Sequence, residues 1–385
     1  MSPSDESQAD FPWHIGVFDA HCHPTDNMPS TSTIRDMKAR TLTIMATRAE
    51  DQDLVGQVAA TYGPERIVPC FGWHPWFAHQ ISPGERPVED KTAHYRSVLQ
   101  GSLSSSGNQD HREEDVVFFR TLPEPKPLGE LLSDLRTRLV AHPTALVGEI
   151  GLDRAFRLPM PWSEDELRER DPSITPGSRE ARRLSPFRVS VEHQKSLLKA
   201  QLQLAGELRR PVSLHSVQGH GLVLEVLRDL WRGYERKGSK RATRKKTKTT
   251  EVLVSDNEDD SPEEEGNQKE EKPLPFPPRI CMHSYSGRAD SLAQFLHPSA
   301  PSEMFFSFSS VINLPPSAAE DHKTFQVVRA LPADRILVES DFHEAGAPMD
   351  DLLEEVTRTV CRIRGWTLEQ GVTQLARNYQ RFVHG

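Results

Sequence analysis

The 385-residue chain has only four cysteines, Cys22, Cys70, Cys281 and Cys361, too scattered for a CxxC pair and too few for a disulfide framework. A reducing compartment suits such a chain. It has no apolar run near the ~20 residues that a membrane span requires, so no membrane contact is expected. Its start, MSPSDESQAD, has no basic segment leading into an apolar one, and so does not read as a secretory signal or transit peptide. A cytoplasmic and/or nuclear protein is the expectation. Excess positive charge is missing too. A formal charge of -9 argues against a broad polyanion-binding surface, because such surfaces work by Lys and Arg neutralising phosphates. Any nucleic-acid chemistry then depends on a local site. Finally, hydrophobic residues make up just 36% of the chain while prolines number 30, a balance that implies an ordered body with unpacked inserts.

What is present is a repeated rhythm. Eight short apolar runs, rich in β-branched or aromatic residues, each end on a polar residue: IGVFDAH at His21, LTIMAT at Thr47, IVPCFGWH at His74, LVGE at Glu149, PVSLH at His215, RICMH at His283, MFFSFS at Ser309 and ILVESD at Asp341. Helical patterns separate them, over Asp51 to Tyr62, Leu128 to Ala141, Val191 to Leu208, Gly221 to Trp231 and Ala289 to Phe295, with Met349 to Arg364 and Leu368 to Phe382 closing the chain. Eight βα units predict an α/β fold, a (β/α)8 TIM barrel over 13–385. The rhythm breaks in four places. Residues 1–12 read as a disordered N-terminus. The polar, proline-punctuated stretches 101–127 and 154–186 read as inserted loops. In 235–278, eight Lys or Arg between Arg236 and Lys248 precede an acidic block from Asp256 to Glu271, and such segregated charge reads as mostly disordered. This insert is either a nuclear-localisation run with a phosphorylatable tail (Ser255, Ser261) or a self-neutralising solvated loop. It is also the candidate contact for a protein partner.

In a barrel of this kind catalytic groups sit where strands reach the C-terminal face. Six of the eight runs end on His, Glu or Asp. In FDAHCHP, His21 and His23 flank one residue, so a period of two puts both rings on one face while Cys22 points away. Glu149 ends a buried-looking strand between Gly148 and Gly151, where a carboxylate needs a partner, either a metal ion or an Arg. Asp153 reads as a turn residue or as a group behind the ligands. His215, His283 and Asp341 each close a strand; singly each histidine reads equally well as structural, but together they read as ligands. Glu339, deeper in the last strand, ranks behind Asp341. The set suffices for two divalent ions, with Glu149 bridging them, and Asp341 is the choice for general base. Imidazole-rich ligation suits Zn, Mn or Fe, and the carboxylates admit Mg.

In this order and placement FDAHCHP, GEIGLD, PVSLHS, CMHSYSG and LVESD resemble the TatD family of metal-dependent hydrolases, from Val17 to the closing NYQRF. The resemblance implies a TIM-type barrel and a divalent-metal nuclease, often a 3' to 5' exonuclease, with DNA or RNA as substrate. It places ligands on His21, His23, Glu149, His215, His283 and Asp341, and marks His74 as a substrate-side group. The chain departs from the family pattern at Val217, Phe342, His343 and Arg154, all next to the ligand motifs. Two other functions fit the same residues: an amide or ester hydrolase acting on a small molecule, and a scaffold without activity. No Lys occupies the Glu149 strand end, where many barrel amidohydrolases use a carboxylated Lys.

Overall fold

The structure, a computed structural model, describes residues 10–102, 112–177, 182–236, 273–314 and 322–385. Eight parallel strands are hydrogen-bonded in chain order: β1 (Phe18–Cys22), β2 (Thr41–Met45), β3 (Ile67–Phe71), β4 (Leu146–Asp153), β5 (Val212–Val217), β6 (Arg279–Met282), β7 (Glu303–Phe308) and β8 (Ile336–Val338). They are the eight apolar runs of the sequence. Beyond β8 the chain laces onto β1: the Asp341 amide donates to the His21 carbonyl (3.0 Å), the His23 amide donates to the Phe342 carbonyl (2.8 Å), and the Ser340 hydroxyl donates to Asp19 Oδ2 (2.5 Å). These bonds close the sheet into the expected barrel.

Eleven α-helices surround it among the described residues: α1 (Ala49–Tyr62), α2 (Lys91–Val98), α3 (Arg112–Thr121), α4 (Leu128–Ala141), α5 (Glu164–Glu169), α6 (Val191–Glu207), α7 (His220–Trp231), α8 (Ala289–Phe295), α9 (Lys323–Ala330), α10 (Ala347–Arg364) and α11 (Leu368–His384). Apolar residues at three- and four-residue spacing bury one face of each long helix; in α6 these are Leu197, Leu198, Leu202 and Ala205, and the Ser190 hydroxyl caps its first turn by accepting from the His193 amide. Helix α11 opens on a reciprocal cap between Thr367 and Gln370 and carries Tyr379, Phe382 and Val383 into the barrel floor.

The apolar interior forms two clusters. The larger lies between the strands and the helices. The smaller fills the barrel itself: Phe18, Ala20, Val68, Cys70, Leu146, Cys281, Phe305 and Leu337 point inward and meet α11. No described helix is long and apolar enough to cross a membrane.

Two stretches read as loops carry helices. In 101–127 the VVFF run gives α3 an apolar face, with Phe118 stacked on Phe187 at 4.9 Å between ring centres. In 154–186 Ser163 and Glu166 form a capping box that starts α5. Helices α2 and α9 were not expected, being only eight residues long. The end of the charged insert packs too: Phe276 is buried, and a Cβ on Gly206 of α6 would fall 2.4 Å from the Leu274 carbonyl oxygen. The remaining expectations of disorder, for 1–9 and 237–272, lie outside the described residues, as do 103–111 and 178–181 of the two loop stretches.

Candidate metal centre

All seven residues singled out by the strand-end pattern and the family motifs meet at the C-terminal mouth of the barrel, buried, around Glu149. Period two alone brings His215 (behind Ser213), His283 (behind Cys281) and Asp341 (behind Leu337 and Glu339) to the inside of their strands. Strands β1 and β4 do it differently. Ala20 and Leu146 already face inward, so strict alternation would turn His21, His23 and Glu149 outward. Each strand slips by one residue at that point, between Asp19 and Cys22 in β1 and between Val147 and Ile150 in β4. The slip puts His21, His23 and Glu149 inside and sends Cys22 to the outer cluster. In β4 the neighbouring glycines make room for the next strand: a Cβ on Gly148 would lie 2.7 Å from the Ser213 carbonyl oxygen, and one on Gly151 would lie 2.0 Å from that of His215.

The two carboxylate oxygens of Glu149 face different partners. Oε2 lies 3.4 Å from His21 Nε2 and 3.5 Å from His23 Nε2, and the latter nitrogen is 3.5 Å from Asp341 Oδ1. Oε1 lies 2.7 Å from His215 Nδ1, 2.9 Å from His283 Nε2 and 3.1 Å from His74 Nε2. Glu149 thus stands between two donor sets.

Two rings have their outer nitrogen hydrogen-bonded, which aims the inner one at the centre, and the outer nitrogen of a third faces a carboxylate beyond hydrogen-bonding reach. His21 Nδ1 is 2.8 Å from the Ser213 hydroxyl, His215 Nε2 is 3.3 Å from Asp153 Oδ2, and His283 Nδ1 is 3.6 Å from Glu339 Oε1. A partner of this kind fixes the ring tautomer and orientation. Asp153 is itself held by the Trp76 indole N–H (2.6 Å) and by the amides of Ala155 and Phe156. It therefore both shapes the turn after β4 and stands behind His215. Ser213 was missed as a site residue, although its place two positions before His215 on one strand was the available signal. Glu339 is fully buried, accepts from the Ser284 amide (2.8 Å) and the Ser284 and Ser307 hydroxyls, and clusters with His21 and His283.

His74 differs from the others. Its Nδ1 accepts from the Trp76 amide (3.2 Å), so the neutral ring carries its proton on Nε2 and donates to Glu149 Oε1. Burial pushes its pKa down to about 4, which keeps it neutral. Burial alone would raise the Glu149 carboxyl, but the rings of His74, His283 and His21 hold it well below the usual carboxylate range. Asp341 follows the same logic, with burial opposed by its bond to His23 and by the charges of His283 and His21. Its backbone is left-handed, φ 49°, a conformation Asp tolerates better than most residues and one that turns its carboxylate into the mouth.

The donor set fits a pair of divalent ions. His21 Nε2 and His23 Nε2 are 3.1 Å apart, as are His215 Nδ1 and His283 Nε2. Two nitrogens at ~2.1 Å from one tetrahedral ion would be about 3.4 Å apart, so each pair is spaced as ligands of a common cation. His21, His23, Glu149 and Asp341 would hold one ion; Glu149, His215 and His283 would hold the other.

Residues 18–384 match the model of a family described as TatD related DNase. The chain is 32% identical over 370 residues to the Cut9-interacting protein scn1 of Schizosaccharomyces pombe, covering 95% of this chain and 98% of that one. It is 25% identical over 385 residues to a Saccharomyces cerevisiae protein named an uncharacterized deoxyribonuclease, with coverages of 95% and 99%. Among solved structures, the fold matches YjjV, a TatD homolog of Escherichia coli, at a TM-score of 0.51 and 17% identity, over 96% of this chain and 98% of the other. It also matches an uncharacterized amidohydrolase of Saccharomyces cerevisiae, at 0.54 and 14%, over 95% and 99%. At those identities the two structures speak to the fold alone.

Proposed function

The chain belongs to the TatD-related DNase family of hydrolases, and from that premise we propose that it cleaves phosphodiester bonds of DNA, or RNA, as an exonuclease working through two divalent ions. The observation that carries the reading is the placement of Glu149, each of whose oxygens meets a separate set of imidazoles. Divalent ions bound there would polarise a phosphoryl oxygen and lower the pKa of a bound water towards neutrality. The chain's own residues supply the rest. Asp341, within reach of the His21 and His23 side, takes the proton of the attacking water. His74, neutral and proton-bearing on Nε2, orients the Glu149 carboxylate and is the polar group at the substrate's side. Asp153, Ser213 and Glu339 keep the ligand rings turned inward. Mg, Mn and Zn are the ions to test.

A glutamate rather than a carboxylated Lys at the bridging position speaks for the phosphodiesterase over an amide hydrolase. The full donor set speaks against a scaffold without activity, since a crowd of buried imidazoles and carboxylates is costly to keep without a cation. The fission-yeast relative is named for its interaction with Cut9. By extension a protein partner belongs to the proposal, with the charged insert 235–278 as its candidate contact and nuclear address.

The test is digestion of end-labelled single-stranded DNA with Mg or Mn, with chelator, and with Asp341→Asn. Stepwise shortening that needs metal and falls at least about 100-fold in the variant is expected, in line with the loss of one general base. Digestion that persists in chelator, or at full rate in Asp341→Asn, would overturn the assignment.

A further inference from the structure

A cavity of about 890 Å³ opens beside the metal centre, within the range, roughly 300–1,000 Å³, of pockets that enclose a whole small ligand. Its walls are aromatic and apolar, from Trp76, Phe77, Phe156 and Trp162, and Arg182 also lines it, with its guanidinium 4.9 Å from the Trp162 ring centre. It borders the metal centre. Trp76, Phe77 and Gly177 line both this cavity and a smaller one walled by His23, His74 and Glu149. Most of the outer wall comes from residues within 156–177 together with Arg182 and Leu184, and the chain around Pro176 is fixed to the barrel. Arg48 Nε donates to the Pro176 carbonyl (2.9 Å), the Thr175 hydroxyl donates to the Thr25 carbonyl (2.6 Å), and Arg48 is itself held by Asp26 (2.8 Å) and Asp51 (3.0 Å). Trp76 is braced as well, stacked on Phe156 at 4.6 Å and bonded to Asp153, the partner of His215.

Resting on the phosphodiesterase reading, we propose that this groove is a base-stacking subsite for the unpaired nucleotides next to the scissile phosphate. Aromatic rings lining a cavity can stack on any base, since every base has a π-face, and a guanidinium beside them pairs with a phosphate. The bases of a duplex are stacked on one another and closed to such rings. The strand would therefore run from the ions past Trp76 to Trp162 and Arg182. This gives a chain of net charge -9 a local way to hold a polyanion.

The test is fluorescence anisotropy of the full chain in chelator, with 5'-fluorescein hexathymidylate, the same strand with abasic sugars in place of its nucleosides, and a blunt duplex. The base-bearing strand is expected to bind at least about tenfold more tightly than the abasic strand or the duplex. Trp162→Ala is expected to weaken it about tenfold, the effect of removing one stacking ring, and Arg182→Gln severalfold, with melting temperatures checked for both. Equal binding of abasic and base-bearing strands overturns the inference. So does wild-type affinity in Trp162→Ala, or a groove that takes an apolar dye but no oligonucleotide. Hydrolysis of bis(p-nitrophenyl) phosphate with Mn separates the two readings. Hydrolysis without base-dependent binding overturns the groove and keeps the phosphodiesterase; base-dependent binding without hydrolysis by any metal does the reverse.

Discussion

The barrel interior has two storeys built from the same strands. In the lower one Phe18, Cys70, Leu146, Cys281, Phe305 and Leu337 pack against Tyr379 and Phe382 of α11, and almost every atom is apolar. In the upper one, two or three residues further along those strands, stand His21, Glu149, His283 and Glu339, equally buried. Burial therefore does not separate them; partners do. The lower storey lowers the free energy by removing apolar surface from water. The upper storey assembles charged and polar groups at a cost that a bound cation would offset. The contrast teaches that one storey is built for stability and the other for chemistry.

Exchanging the roles is the strongest way to break that contrast. Glu149→Gln should abolish nuclease activity by roughly 10³-fold or more, because both donor sets share this residue and bound metal is worth several kcal/mol of transition-state stabilisation. Its melting temperature in chelator should fall by only a few degrees, since the amide keeps the carboxylate's shape and hydrogen-bonding capacity and gives up only the attraction of the surrounding rings. A collapse in melting temperature with activity retained would reverse the assignment of storeys. Below, Phe305→Ala should cost about 3–5 kcal/mol in denaturant unfolding, the usual toll for emptying a fully buried ring, while metal affinity of the folded protein changes little. A loss of affinity at full stability would show that the lower storey shapes the site. The smallest effect sharpens the boundary. Asp153→Asn should weaken metal binding, measured by calorimetric titration, about 10- to 100-fold through misorientation of His215, with the fold intact. Unchanged affinity would make Asp153 a turn residue only.

Much of this was legible beforehand because it rests on local rules. The eight strands follow from apolar runs, the long helices from three-and-four spacing, and α4 and α8 begin and end where the pattern puts them. The site was legible because polar residues at the ends of apolar strands are expensive, and six such ends are hard to explain without a shared purpose. What escaped were elements whose stability is tertiary. Helix α3 is a polar segment except for its VVFF run, of which Phe118 and Phe119 find Phe187 and Tyr95 elsewhere in the chain. The groove is another such case, since Trp76, Phe156, Trp162 and Arg182 share no spacing that foretells a common cavity.

By itself the sequence determined that His21, His23, Glu149, His215, His283 and Asp341 sit at strand ends on one face of a barrel, because strand order and connection rules leave their strands no other common face. Only the tertiary structure decided which way two of those strands point them. Alternation from Ala20 and Leu146 would have sent His21, His23 and Glu149 into the helix layer. A one-residue slip in β1 and another in β4, fixed by the pairing of each strand with its neighbour, turn them inward. Register belongs to pairs of strands, so no reading of a single strand contains it.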